Sequence, residues 1–149
     1  MKKTVIFDLD GTLALIDKRR DISKKDNGKL DWDKFFDPGL ISLDQPNQPV
    51  IDMANLLSKQ GFTIWILSGR SDVTHQATID WLNDNSVWFD HLVMRPQNHL
   101  YMPDNDLKQM WLDSIGKDNV AMVFDDRNQV VDMWRQNGLT CFQVAEGDF

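Results

Sequence analysis

The sequence predicts an α/β fold in which a mostly parallel sheet carries helices on both faces. Two observations lead to this prediction. Short apolar runs alternate along the chain with segments of helical periodicity, and three of those runs end abruptly in polar residues. The chain has 149 residues, the length of one ordinary domain, so we expect a single domain over residues 1–149.

Five apolar runs have the length and composition of buried strands. They are continuously hydrophobic rather than alternating, which is typical of strands covered on both faces of a sheet. The predicted strands are residues 4–7, 62–67, 91–94, 120–124 and 140–144.

Between these runs, apolar residues recur with the spacing of an amphipathic helix. Gly61, Gly116 and Gly138 follow three of the segments and act as stop signals. Strands that alternate with helices of this length favour a doubly wound, Rossmann-like parallel sheet. The predicted helices are residues 49–59, 72–83, 104–115 and 128–136.

Residues 15–48 break this alternation. The segment is polar and rich in Asp and Lys, and the Asn27-Gly28 step is a turn signal although its flanks do not alternate. Because it is too short for a second domain, we interpret it as a small flap or lid and expect no large cap domain. Trp32 lies in this flap, where it either stacks on a nucleotide base or anchors the flap.

Charge and cysteine content exclude some classes of function. The formal net charge of −7 argues against tight, nonspecific binding along a nucleic-acid backbone, but it is compatible with a small phosphorylated substrate or a strand end. Cys141 is the single cysteine, so no intrachain disulfide can form, and we expect a reducing, cytoplasmic setting. No apolar run is long enough to span a bilayer, and we expect neither a signal peptide nor a membrane partner.

The ends of three predicted strands carry groups that are useful for phosphoryl transfer. In open α/β sheets, ligands bind beyond the carboxyl ends of the strands, so we expect these groups to lie close together. The three sets are Asp8 with Asp10, Ser68 with Arg70, and Asp125 with Asp126.

The strongest signal is the run DLDGT at residues 8–12. The carboxylate of Asp8 can attack phosphorus, and Asp10 can protonate the leaving alcohol and then deprotonate the attacking water. Gly11 lets the chain turn sharply where a substrate must approach, and Thr12 is a candidate substrate contact. The alternative is a capped strand end with two solvated aspartates.

A second candidate phosphate site is Ser68-Gly69-Arg70. A hydroxyl and nearby backbone N–H groups can hold a phosphate oxygen, and the start of the next helix adds to the field. The guanidinium of Arg70 can bind a phosphate in bidentate fashion. The alternative is a helix N-cap followed by a surface arginine.

Lys108 follows Asp104 by four residues, which puts both on one face of a predicted helix. In the functional interpretation, Lys108 neutralises the charge of the nucleophile and phosphate, and Asp104 orients it. The alternative is a surface ion pair that contributes little to stability.

The pair Asp125-Asp126 predicts a metal site. Mg²⁺ prefers an octahedral shell of oxygens that includes one or two carboxylates. We expect Asp8, the main-chain carbonyl of Asp10 and one of Asp125 and Asp126 to provide that shell, with Mg²⁺ as the cofactor.

Together these motifs resemble the haloacid dehalogenase (HAD) superfamily. More narrowly, the chain resembles the 3′-phosphatase domain of phage polynucleotide kinase/phosphatase. The segments that carry the closer resemblance are VIFDLDGTLA at residues 5–14, SGR at 68–70, DDRNQVVDMWR at 125–135 and QVAEGDF at 143–149.

This resemblance implies Asp8 as the nucleophile of an aspartyl-phosphate mechanism and Asp10 as the general acid/base. It also implies two arginines on the substrate: one is Arg70, and the other is Arg19, although the neighbouring Arg20 leaves the register open. The remaining roles that it implies are phosphate contacts at Ser68 and Lys108, an acid before the lysine at Asp104, and metal binding at Asp125 and Asp126.

The resulting hypothesis is an Mg²⁺-dependent phosphomonoesterase that removes 3′-phosphates from polynucleotide ends or nucleotides. A 5′-(deoxy)nucleotidase acting on free mononucleotides is the alternative within the enzymes. A non-catalytic phosphate- or nucleotide-binding module is the alternative of another class. The chain contains no G-x-x-x-x-G-K-[ST] motif, so we expect no kinase domain in it.

Overall fold

Five parallel strands form the central sheet of the computed structural model, which describes residues 2–149. Their order is β5-β4-β1-β6-β7, and every neighbouring pair is parallel. All four residues of the central strand β1 are buried, as its apolar sequence predicts. The strands are β1 Thr4–Phe7, β4 Thr63–Ser71, β5 His91–Arg95, β6 Val120–Asp125 and β7 Cys141–Gln143.

Helices cover both faces of this sheet. Apolar residues of α3 and α4 pack in one core with Val5 and Phe7, and those of α5 and α6 pack in a second core with Ile6. Within residues 2–149, none of the helices is long and apolar enough to cross a membrane. The helices are α3 Gln48–Lys59, α4 His75–Asp84, α5 Asp104–Ile115 and α6 Asn128–Gln136.

The predicted α/β architecture is confirmed, and the bounds of α5 and α6 are the predicted ones. Two boundaries differ from the prediction by more than one residue. Strand β4 continues beyond residue 67 to Ser71, because the ladder with β5 resumes there after a register shift. The helix predicted from residue 72 begins as a 3₁₀ turn, Asp72–Thr74, before α4.

A two-stranded antiparallel stem, β2 Ala14–Leu15 and β3 Gln45–Pro46, separates residues 16–44 from the sheet. We call residues 16–44 the insertion segment. Its elements are α1 Asp17–Ser23, α2 Trp32–Phe35 and a 3₁₀ helix, Pro38–Leu43. The turn predicted at Asn27-Gly28 is confirmed, since Gly28 has a φ of 80° and an antiparallel bridge joins Lys24 to Leu30.

The insertion segment packs firmly on the domain. Phe35 and Ile41 are 5% and 1% exposed and belong to the same core as α3 and α4. The indole Nε1 of Trp81, on α4, donates a hydrogen bond of 2.9 Å to the main-chain oxygen of Asp44. The end of the insertion segment is therefore fixed against α4.

Candidate active site

The loop after β1, residues 8–13, carries the two predicted catalytic aspartates, and we call it the catalytic loop. Its conformation depends on its glycine. The backbone N–H groups of Thr12, Leu13 and Ala14 all donate to the carbonyl of Leu9, which makes a tight turn. Gly11 has a φ of 83°, and a Cβ there would collide with the carboxylate of Asp126. Glycine therefore permits both the left-handed turn and the close approach of Asp126.

Three buried carboxylates meet at the ends of β1 and β6. Asp8, Asp125 and Asp126 each offer an oxygen, and these oxygens lie within 4.8 Å of one another. Lys108 reaches them from α5, with its Nζ 2.8 Å from Asp8 Oδ1 and 3.1 Å from Asp125 Oδ2. One ammonium group thus faces three carboxylates, which leaves an excess of negative charge.

The pKa values in this acidic cluster reflect that excess. Burial, followed by the charge of Asp125, raises the pKa of Asp8 well above its usual range, against the opposing effect of Lys108. Burial alone would lower the pKa of Lys108, but Asp125 and Asp8 outweigh it and raise that pKa. A hard divalent cation would relieve the repulsion among the carboxylates, and their oxygens are the ligands that Mg²⁺ prefers, so the residues fit such an ion.

The carboxylate oxygens of Asp125 accept more hydrogen bonds than those of Asp126. Asp125 Oδ2 accepts hydrogen bonds from Lys108 Nζ and Trp134 Nε1, both at 3.1 Å. Its Oδ1 accepts from the backbone N–H of Asp126 at 2.8 Å. Asp126 Oδ1 accepts from the Thr12 hydroxyl at 3.2 Å, and that hydroxyl lies 3.3 Å from Asp8 Oδ2. Asp126 is consequently the carboxylate with more capacity left for a ligand.

Asp10 faces a different environment, made of two buried arginines. Its Oδ1 accepts hydrogen bonds of 2.8 Å from Arg19 Nη2 and from Arg70 Nε. Both guanidinium groups also bind Asp44: Arg19 through Nε and Nη2 at 3.0 Å, and Arg70 through Nη2 at 2.7 Å. Both arginine side chains and the Asp44 side chain are completely buried, whereas the side chain of Asp10 is 22% exposed. Asp10 is therefore the member of this network that a substrate can reach.

The two acids of the catalytic loop have opposite pKa shifts. Burial would raise the pKa of Asp10, but the charges and hydrogen bonds of Arg70 and Arg19 outweigh it and lower the pKa. The pKa of Asp8, two residues earlier, is raised. Burial among carboxylates thus favours the neutral form of Asp8, whereas the two arginines favour the anionic form of Asp10.

Arg19 and Arg20, which the sequence could not tell apart, point in different directions. Arg19 is 0% exposed and binds Asp10, so it is not a solvated surface charge. Arg20 is half-buried, and its guanidinium lies 5.0 Å from the ring centroid of Phe149.

Asp104 lies beside the catalytic groups but does not pair with Lys108. Its carboxylate accepts from Arg127 Nη1 at 3.0 Å and from Arg95 Nη2. It also packs against Gly69, where a Cβ would lie 2.5 Å from Asp104 Oδ1. Lys108 is only 2% exposed, so the interpretation of the two residues as a surface ion pair is wrong.

Ser68 lies buried on β4, where its hydroxyl oxygen accepts a hydrogen bond of 3.1 Å from the backbone N–H of Arg70. Arg70 is 1% exposed, which excludes the alternative of a surface arginine. The structure thus brings the sequence-predicted site residues to one edge of the sheet. Lys108, Asp125 and Asp126 lie around Asp8, Arg19 and Arg70 hold Asp10, and Asp104 lies against Gly69.

Sequence reasoning missed four residues that hold these groups in place. Asp44 carries no local motif, because it is one of many aspartates in a polar segment. A buried hydrogen-bond partner on a helix has no sequence signature either, since its spacing is that of any helical residue. The missed residues are Asp44, Thr78, Arg95 and Trp134.

With this geometry established, comparison with known proteins identifies the family. A family model described as the phosphatase domain of polynucleotide kinase PNKP matches residues 2–149. The chain belongs to this family. It is therefore a phosphatase domain of the HAD type, and the resemblance noted in the sequence is confirmed.

Two relatives illustrate the place of such PNKP-type phosphatase domains in longer proteins. A protein of Autographa californica nuclear polyhedrosis virus, named as a bifunctional polynucleotide kinase/RNA ligase, is 32% identical over 152 residues, which cover 96% of this chain and 19% of the viral protein. A chain of the Pnkp1/Rnl/Hen1 RNA repair complex superposes with a TM-score of 0.80 at 38% identity, over 100% of this chain and 44% of that one. The present chain therefore spans less than half the length of either relative.

More distant structures share the fold alone. An HAD-family enzyme of Bacteroides thetaiotaomicron, solved in complex with magnesium and inorganic phosphate, superposes with a TM-score of 0.61 at 14% identity. The match covers 100% of this chain and 97% of that enzyme. The HAD fold predicted from the sequence is thereby confirmed.

Proposed function

We propose that this PNKP-type phosphatase domain is an Mg²⁺-dependent phosphomonoesterase that removes 3′-phosphates from nucleic-acid ends or nucleotides through an aspartyl-phosphate on Asp8. One observation carries the proposal. Asp8 Oδ1 lies 2.8 Å from Lys108 Nζ within the acidic cluster, while Asp10 faces a separate pair of arginines. The arrangement divides nucleophilic attack and proton transfer between two carboxylates of one loop.

Asp8 and Asp126 would hold Mg²⁺ through their carboxylates, together with the main-chain carbonyl of Asp10. Asp125 instead holds Lys108, because both of its oxygens already accept hydrogen bonds. When bound, the metal supplies positive charge that offsets the repulsion between an anionic nucleophile and an anionic phosphate. The match with an HAD enzyme crystallised with magnesium and phosphate supports this choice of ion.

In the first step, an oxygen of Asp8 attacks phosphorus and the bond from phosphorus to the leaving oxygen breaks. Asp10, in its protonated form, gives its proton to that oxygen, so the product leaves as an alcohol. Lys108 and the Ser68 hydroxyl stabilise the charge on the transferred phosphoryl group. The products of this step are a free hydroxyl end and an acyl phosphate on Asp8.

In the second step, Asp10, now a carboxylate, accepts a proton from water as the water attacks phosphorus. The bond between phosphorus and the Asp8 oxygen breaks, which releases phosphate and restores Asp8. The same carboxyl group thus serves as acid and then as base.

The lowered pKa of Asp10 means that the free site holds this group as an anion. An approaching phosphate brings negative charge next to Asp10. It also competes with Asp10 for electrostatic stabilisation by the guanidinium groups of Arg19 and Arg70. Both effects raise the pKa of Asp10. Binding of the substrate therefore favours the protonated form that the first step requires.

The choice of substrate rests on the relatives and on charge. The names of the relatives, a polynucleotide kinase/RNA ligase and an RNA repair complex, support a nucleic-acid end as the substrate. The net charge of −7 favours a free 5′-mononucleotide instead, which is the second candidate. We infer that the insertion segment acts as the flap that makes this choice, because its exposed Trp32 packs on Phe35, which lies against the Arg19 that binds Asp10.

A substrate panel tests the proposal. Steady-state kinetics on p-nitrophenyl phosphate, a 5′-mononucleotide and a 3′-phosphorylated oligonucleotide, each with Mg²⁺ or with EDTA, should show the highest kcat/KM for the 3′-phosphate and reversible inactivation by EDTA. Asp8→Asn should abolish turnover while the protein remains folded, and the exposed Asp118→Asn serves as a control. Full activity in EDTA or in Asp8→Asn would disprove the mechanism, and a preference for the mononucleotide would select the second candidate.

A further inference from the structure

We propose that the insertion segment contains the binding surface for the single strand of nucleic acid that carries the terminal phosphate. In this proposal Trp32 is a stacking platform for a base, and Lys24, Lys25 and Lys29 contact the phosphodiester backbone. The inference rests on the proposed function, since it names the surface by which that site recognises a polynucleotide.

The first support is the distribution of charge along the chain. Residues 17–34 contain seven Lys and Arg residues and five Asp residues, whereas the rest of the chain contains nine basic and eighteen acidic residues. Once the buried and paired Arg19 is set aside, six cations remain beside five carboxylates, so the stretch lacks the acidic excess of a chain of net charge −7. The phosphate groups of a nucleic-acid strand would be repelled by the acidic remainder of the chain and attracted to the cations of this stretch.

The second support is the geometry of the turn between α1 and α2. The bridge between Lys24 and Leu30, and a backbone hydrogen bond of 2.8 Å from Lys25 to Lys29, bring three lysines to one short hairpin. All three are exposed, and their only ion pair among residues 2–149 is an exposed contact of 3.5 Å between Lys24 and Asp21. Such lysines are available to contact phosphate groups.

The third support is the position of Trp32, which is 59% exposed although it is large and apolar. It begins α2, whose first turn is capped by the Asp31 side chain. Its ring packs edge-on against Phe35 at 5.6 Å, and the Phe35 ring lies 4.4 Å from the guanidinium of Arg19, which binds Asp10. Phe35 and Arg19 therefore lie, in that order, between the exposed indole and the proposed acid/base.

Basic side chains beside an exposed aromatic ring are the combination that binds single strands, because the cations follow the backbone and the ring stacks on any base. The same Trp32 also stacks on Phe36, with 5.7 Å between ring centroids, which holds the platform in place without covering it. Pre-ordered rings lose little entropy when a base stacks on them.

Binding of fluorescein-labelled single strands of RNA and of DNA, followed by anisotropy as a function of salt, tests the surface. The variant Lys24→Gln/Lys25→Gln/Lys29→Gln should bind more weakly and lower the slope of log Kd against log salt by about 2, since each lysine contributes about 0.7 on a single strand. The matched control Lys3→Gln/Lys59→Gln/Lys117→Gln changes the net charge equally, but its lysines adjoin the amino ends of the strands. This control variant should have the same slope of log Kd against log salt as the wild-type protein.

Trp32→Ala should weaken strand binding by about fivefold or more, and Trp32→Phe should restore most of the loss. The ratio of kcat/KM on a 3′-phosphorylated oligonucleotide to that on p-nitrophenyl phosphate should fall in Trp32→Ala. Melting temperatures close to that of the wild type would show that these exposed substitutions leave the fold intact.

Unchanged binding in both test variants, or equal losses in the test and control triple variants, would overturn the inference. A wild-type protein that binds strands in this way but hydrolyses no phosphomonoester would overturn the proposed function and leave the surface standing. If the protein hydrolyses phosphomonoesters but the insertion-segment variants have no effect on strand binding, the binding surface is overturned and the proposed function stands.

Discussion

Arg19 and Asp44 form a bidentate ion pair inside the domain, with Nε and Nη2 of the arginine each 3.0 Å from a carboxylate oxygen and neither side chain exposed. Arg70 binds the same carboxylate. Asp44 thus balances two cations that together hold Asp10, although it lies in a different segment from the catalytic loop.

Asp44→Asn should therefore reduce both stability and activity. Removing one partner of a buried charge pair costs about 3–5 kcal/mol, because the remaining charges stay desolvated. Displaced arginines would move Asp10, so we also expect kcat to fall about tenfold or more. Chemical unfolding and steady-state kinetics measure the two effects, and the exposed Asp118→Asn is the control. An Asp44→Asn protein with normal stability would show that the arginines do not depend on this carboxylate.

Arg19→Lys and Arg70→Lys should lower kcat/KM by a larger factor on a nucleotide than on p-nitrophenyl phosphate. Lysine keeps the charge but loses the fork that contacts Asp10 and Asp44 together. Because Asp10 protonates the leaving oxygen in the proposed mechanism, the loss should be larger for an alcohol than for p-nitrophenolate, which leaves readily without a proton. Arg20→Lys, a half-buried neighbour, is the matched control. Equal losses on the two substrates would instead indicate that Arg19 and Arg70 act on the transferred phosphate and not through Asp10.

Asp8→Asn should raise the melting temperature of the metal-free protein near neutral pH. The raised pKa of Asp8 means that its ionisation costs folding free energy, and this cost is present at pH values above the raised pKa. It fades as the pH falls from that pKa toward the ordinary value of 3.8. Melting curves of both proteins in EDTA across this range should converge at acidic pH. Each kcal/mol corresponds to about 2–4 °C, and a constant difference at all pH values would contradict the prediction.

Asp126→Asn should affect Mg²⁺ binding, whereas Asp125→Asn should affect the stability of the metal-free protein. Asp126→Asn should mainly weaken Mg²⁺ binding, seen as a smaller rise in melting temperature when Mg²⁺ is added. Asp125→Asn should lower the melting temperature even in EDTA, because both Asp125 oxygens accept hydrogen bonds and an amide nitrogen would face a donor on either side. If the two variants exchange these phenotypes, Asp125 is the direct ligand.

Gly147→Ala should destabilise the protein and reduce activity. A Cβ at Gly147 would collide with the backbone oxygen of Asp126 and lie 2.7 Å from the Cα of Arg127. These are main-chain atoms, so the loop that carries Asp126 must shift. Melting temperature and Mg²⁺-dependent kcat measure the effect, with Gly39→Ala as a control because its nearest neighbour is an exposed side chain 3.3 Å away. Wild-type values for Gly147→Ala would show that the loop adapts at no cost.

Much of the fold could be predicted because the strands are buried on both faces and the helices have clear stop signals. The chemical groups of the site could be predicted for a related reason. Asp8 and Asp125 stand where apolar runs end, and a parallel sheet brings such ends together.

The partners of those groups could not be predicted in the same way. Lys108 and Asp104 share a helix face, which suggests a pair, yet Lys108 turns to Asp8 and Asp104 to Arg127. Helical spacing predicts which side chains are neighbours on the helix, but it does not predict which residues of other elements they contact. For Asp44, the decisive partners lie 25 and 26 residues away, beyond any local pattern.

The two-stranded stem has a consequence for how such domains diversify. Strands β2 and β3 bring the ends of the insertion segment together, so a replacement loop of another length would close at little entropic cost. Yet that segment supplies Arg19, which binds the proposed general acid Asp10, and Asp44, which binds Arg19. A replacement for this segment must therefore contain an equivalent arginine and carboxylate. We expect changes of specificity in this segment to evolve together with changes in the catalytic loop.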